Sequence, residues 1–167
     1  MSTNAERFAV TPALALTNDP LYADTSRTSH PNATFTVTNT NDIGAGSLRQ
    51  AILNANANAG PDTITFSVTG TISLASTLLI TDDVTTDATG LSITLSGNNA
   101  VRVMKINGGA TVTLTGFTII NGYTPDISVF GGAGIYNAGN LTVRNSTCVA
   151  IMPITAASAA ALPTTAH

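Results

Sequence analysis

Asp82, Asp83 and Asp87, in the run TDDVTTD, form the densest acidic group of the chain. Two carboxylates held about 5 to 9.5 Å apart across a sugar bond can hydrolyse it, and converging acidic oxygens can hold Ca²⁺. The same residue type also holds corners, because an Asp side chain accepts hydrogen bonds from nearby backbone N–H groups. Adjacent acids between strand-like segments suit that use, so the three are candidate metal ligands with the turn as the preferred reading.

A lyase acting on acidic sugars would add a basic residue that removes a proton. Arg102 and Lys105, in VRVMKING, are the nearest basic residues, and three positions apart they face opposite sides of a regular strand. A solvated outer face is the expectation for both. His30 and His167 lie outside the patterned part of the chain, where no scaffold positions a general base. Cys148 has no His beside it to form a thiolate and reads as a small apolar core residue. The glycines of INGGAT and VFGGAGIYN lack the spacing of a phosphate-binding loop and read as corners. Tyr123, Phe130 and Tyr136 could stack on a sugar or a partner, or fill a core. No catalytic or cofactor-binding residue is therefore assigned.

Composition narrows the classes further. The chain has 167 residues, of which 9% are charged, with nine acids against six bases. The six bases, Arg7, Arg27, Arg49, Arg102, Lys105 and Arg144, are scattered, whereas a nucleic-acid surface needs them clustered to displace counterions. Nucleic acid is excluded as a partner on that ground. No stretch approaches the roughly 20 apolar residues of a membrane-spanning helix, and FAVTPALAL, broken by Pro12, is a poor secretory signal. A single Cys rules out a disulfide within one chain.

Residues 1–33 carry little periodicity and read as a disordered leader. From Thr34 the pattern sharpens. In TFTVTN, Phe35 and Val37 alternate with Thr; in GSLRQAILNANANAGP, Ser47 and Gln50 have the spacing of a capping box, Leu48, Ile52 and Ala55 share one helical face, and Gly60-Pro61 ends the segment. Beyond Thr63 the chain is a succession of short alternating runs bounded by Gly, Asn or Asp. VTLTGFT from Val112 and LTVRNST from Leu141 align at an offset of 29 residues (141 − 112), a period of stacked repeats. Gly131, Gly132 and Gly134 would supply tight corners between the two copies, Leu114 should point inward, and Asn98, Asn99, Asn107, Asn121, Asn137, Asn140 and Asn145 suit ladders of stacked amides between coils. These features predict an all-β fold, a parallel β-helix over residues 34–147 with a short N-terminal capping helix.

TVTNTNDIGAGSLRQAILNANANAGPDTITF, followed by ITLSGNNAVRVMKINGGATVTLTGFTIING and GGAGIYNAGNLTVRNST, resembles the bacterial right-handed parallel β-helix proteins of the polymorphic outer membrane protein repeat or CSLREA type. The resemblance spans about residues 34–147. It implies a secreted or cell-surface solenoid, whose kinship to pectate lyases is one of architecture, and whose partners are a carbohydrate or a protein of a host or cell surface. The function expected from it is a non-catalytic scaffold for adhesion or a passenger stalk. The alternatives are a fragment of a polysaccharide lyase or hydrolase, and a non-functional truncated product.

Past Thr147 the alternation gives way to Ala, Thr and Pro. The codons that can encode residues 148–167, read one frame over, are compatible with GNNANYGGVSGGISNYGT, another corner motif, so we read this tail as a frameshift product against the competing reading of a native tail. A solenoid cut there would expose the strand containing Leu141 and Val143, and self-association through that coil is the expectation.

Overall fold

Alternating Thr and apolar residues build twelve strands among the residues described by the structure, a computed structural model that covers 32–124 and 132–150. The leader up to residue 31, Gly131, and the tail beyond residue 150 lie outside the described residues. Strand β1 (Thr34–Val37) comes first, followed by helix α1 (Leu48–Ala57). Three full coils then succeed one another: β2 (Asp62–Phe66), β3 (Gly70–Ser73) and β4 (Leu78–Ile80); β5 (Val84–Asp87), β6 (Ile93–Ser96) and β7 (Met104–Ile106); β8 (Thr111–Thr115), β9 (Phe117–Gly122) and β10 (Ile135–Asn137). A further coil begins with β11 (Asn140–Arg144) and β12 (Thr147–Ala150). The pairing continues across the 147/148 boundary as far as Ala150.

Equivalent strands of successive coils stack in parallel into three sheets, β1-β2-β5-β8-β11, β3-β6-β9-β12 and β4-β7-β10. The chain is a parallel β-solenoid with one short helix near its N-terminal side. Leu141 pairs with Val112 and Val143 with Leu114, the 29-residue offset read from the sequence.

Stacking in register turns the period-two alternation of each strand into continuous inward columns. One column runs Phe35, Ile64, Thr86, Leu114, Val143, and another Ile72, Leu95, Ile119, Cys148. Thr86 is the polar member of the first; it is buried and its hydroxyl donates to the Thr113 carbonyl, so its polar atom is satisfied. Phe66 and Phe117 meet edge to face inside, with ring centroids 5.4 Å apart.

Helix α1 closes the N-terminal end of this core. Ser47, in extended backbone, accepts from the Gln50 N–H at 3.2 Å, while Leu48, Ala51, Ile52 and Ala55 are buried. The capping box is formed by half: the Gln50 side chain donates to Asn54, and the Ser47 N–H is taken by the Gly44 carbonyl. On the far side of the helix the Asn56 amide donates to the Leu79 carbonyl and accepts from the Thr81 N–H. One side chain thus serves the edge of β4 where a preceding strand would have paired, which removes the edge as a template. Arg49 adds bonds to the Ser76 and Thr77 carbonyls and an ion pair with Asp42.

Candidate functional site

The three candidate acids do not converge. Asp82 accepts from the N–H of Asp83; Asp83 accepts from the Thr111 N–H, 2.6 Å away on the next coil; Asp87 accepts from the Thr89 N–H at 2.9 Å. The Thr89 hydroxyl, and then its N–H, hold the Asp87 carboxyl below the usual range. Among the described residues no three His, Cys, Asp or Glu side chains gather into a group that could hold a metal ion.

Asp62 carries no signal in the sequence beyond its place between Gly60-Pro61 and an alternating run. It is buried at the start of β2; one carboxylate oxygen accepts from the Ala33 N–H and from the Asn58 amide, both at 2.8 Å. Its other oxygen has no partner among the described residues. Asp62 and Asp83 therefore join adjacent coils at the corner that enters the five-stranded sheet, one reaching back a coil and the other forward.

The corner residues divide by cause. Gly132 has φ +81°, in the left-handed region that glycine adopts freely, and a Cβ there would also collide with the Ile135 carbonyl, whereas a Cβ at Gly134 would crowd only a side-chain atom, the Cys148 sulfur, at 2.7 Å. Asn98, Asn99, Asn121 and Asn145 also sit at positive φ. The amides expected to stack on one another bond to other groups instead: Asn98 donates to the Leu74 carbonyl and Asn121 to the Ser96 hydroxyl. Left-handed backbone fixes where each amide points, and the nearest acceptor on the preceding coil takes it.

Arg102 and Lys105 overturn their expected separation. Arg102 precedes the regular part of β7, so alternation does not govern it, and both side chains reach the ring of Tyr136 on β10. The Arg102 guanidinium carbon lies 5.0 Å from the ring centroid and the Lys105 ammonium 6.0 Å. Arg102 is anchored by a 2.8 Å bond from Nε to the Gly132 carbonyl and a longer one from Nη2 to the Thr124 hydroxyl. This meeting of two cations and an aromatic ring is the strongest candidate for recognition on the described surface.

Two further features flank it at the ends of the solenoid. A groove of about 200 Å³ runs between β1 and α1, lined by Thr34, Thr36, Gln50 and Asn54 among others. At the other end Cys148 stacks on Ile119 in an inward column yet is exposed, contrary to the core position expected, because no strand among the described residues covers it. Partial burial still raises its thiol pKa.

Fold and surface together define a parallel β-solenoid closed by a helix at one end. No protein-family model matches the chain, and no curated protein matches it.

Proposed function

We propose that the chain is a non-catalytic repeat scaffold of an extracellular or cell surface, of the polymorphic outer membrane protein repeat or CSLREA type, used in adhesion or as a passenger stalk. The observation that carries this reading is the use of Asp83: its carboxylate reaches the Thr111 N–H on the next coil and so fastens coils together. A carboxylate oxygen engaged by the backbone of the neighbouring coil is spent on holding the stack and is not turned toward the other two acids. The sequence resemblance over residues 34–147 supports the surface location and the pectate-lyase-like architecture.

The test offers the purified chain to pectins and to bacterial and animal cell-surface preparations, following unsaturated products, new reducing ends and retained protein in parallel. Saturable retention without product is expected. Product formation would overturn the scaffold in favour of a lyase or hydrolase, and retention nowhere would remove the adhesive role.

A further inference from the structure

We infer that Arg102, Lys105 and Tyr136 bind an acidic saccharide on the outward face of the β4-β7-β10 sheet. The inference goes beyond the scaffold reading and stands on its own geometry. Two like charges drawn to one ring repel each other, and the ring face offsets only part of that cost at an exposed site. Among the described residues the ion pair is Arg49 with Asp42, so neither Arg102 nor Lys105 has a carboxylate within salt-bridge reach there. An anion placed between them would offset their repulsion.

The donors left over suit an oxyanion. The guanidinium is positioned through Nε and Nη2, and Nη1 has no acceptor among the described residues. Its outer edge, Nη1 with the second hydrogen of Nη2, is the fork that matches a carboxylate or sulfate. Lys105 is exposed and brings three more donors.

The neighbouring surface favours a sugar as the carrier of that anion. Leu79, Lys105 and Tyr136 are paired across β4, β7 and β10, so they form one outward row along the solenoid axis. With strands about 4.8 Å apart the row is about 10 Å long, the reach of two linked sugar rings. It presents an exposed Leu side chain, a Lys stem and an aromatic ring, against which the C–H faces of sugars can lie while their acidic groups meet the cations. Two cations on a chain of net charge −3 are too few to hold a polyphosphate backbone.

The experiment is an NMR titration of the Tyr136 ring and the flanking amides, at low ionic strength and again at about 0.3 M salt. The probes are a hyaluronan tetrasaccharide, a heparin tetrasaccharide, neutral chitotetraose and sodium acetate. Saturable shifts are expected with at least one acidic tetrasaccharide, weakened by salt, and neither chitotetraose nor acetate should match them. K105Q, which removes an exposed charge with no hydrogen bond or ion pair among the described residues, should weaken binding roughly five- to tenfold; R102Q should weaken it at least as much, and R144Q, on the five-stranded sheet, should leave it unchanged. No shift with either acidic probe overturns the site, as does equal binding of chitotetraose. Equal binding of acetate makes it a site for free oxyanions and overturns the saccharide. Binding that survives K105Q but is lost in R144Q places it elsewhere and overturns it too.

Discussion

Val143 lies one coil beyond Leu114 in the same inward column, directly paired with it, yet Leu114 is 1% exposed and Val143 46%. The residues are alike in type and in position within their strands. What separates them is a neighbour: Leu114 has Thr86 before it and Val143 after it, whereas Val143 has a partner on one side only among the described strands. Burial in a solenoid belongs to the stack, and a single coil cannot hide its own apolar row.

Leu114→Ala should therefore cost about 2 to 5 kcal/mol, the range for a core cavity, while Thr113→Ala and Val143→Ala should each cost about 1 kcal/mol or less. Urea unfolding followed by circular dichroism measures all three. Equal losses at Leu114 and Thr113 would contradict a half-buried strand.

Ser47→Ala should cost about 1 to 2 kcal/mol, because the buried hydroxyl both accepts from the Gln50 N–H and donates to the Gly44 carbonyl at 2.7 Å. Gln50→Ala should stay within about 0.5 kcal/mol, since its side chain bonds to exposed Asn54 and leaves the cap alone. The pair distinguishes a lone N-cap from a full capping box.

Gly122→Ala should destabilise the chain by about 1 to 3 kcal/mol or more through overpacking, because a Cβ there would collide with the Ala133 carbonyl. Its φ lies outside the positive region reserved to glycine, so the cost is one of space. Thr118→Ala, outward on the same strand, should change the midpoint little.

Asp87 titrates on the surface with its pKa lowered by Thr89. A folded pKa below the unfolded one, about 3.9, gives stability that is present above the unfolded value and lost as pH falls through the folded value. A carbon-detected NMR titration should find the Asp87 midpoint below the ordinary range, and Thr89→Ala should move it upward. An unchanged midpoint in that variant would mean that Thr89 is not the cause.

The edge of β11, which no strand among the described residues covers, should promote self-association. Sedimentation over a range of concentrations should show reversible growth in mass, and Val143→Lys, which places a charge on the uncovered column, should suppress it. A monomer at every concentration would exclude this edge as a contact.

The fold is legible in the sequence where its determinants are local. Ser47 and the spacing of Leu48, Ile52 and Ala55 are enough to start a helix and choose its buried face, and the structure places α1 there. The offset between Val112 and Leu141 survives into the pairing because parallel stacking of equal coils preserves register. Alternation does not govern Arg102, which lies just outside the regular strand, and so a spacing that predicts opposite faces belongs to a pair that meets on Tyr136. Asp83 read as a corner residue, but its bond to the N–H of Thr111 crosses 28 residues, and no local pattern records which coil lies beside which.

By itself, then, the sequence determined the alternation and the helix cap, which depend on residues within a few positions of one another, and the period, which shows when one stretch is laid on a later copy of itself. Only the tertiary structure decided which apolar residues are covered, which acids fasten neighbouring coils and which cations share a ring. Those properties arise between coils some 20 to 30 residues apart along the chain, where stacking brings strands to about 4.8 Å and turns a linear pattern into columns.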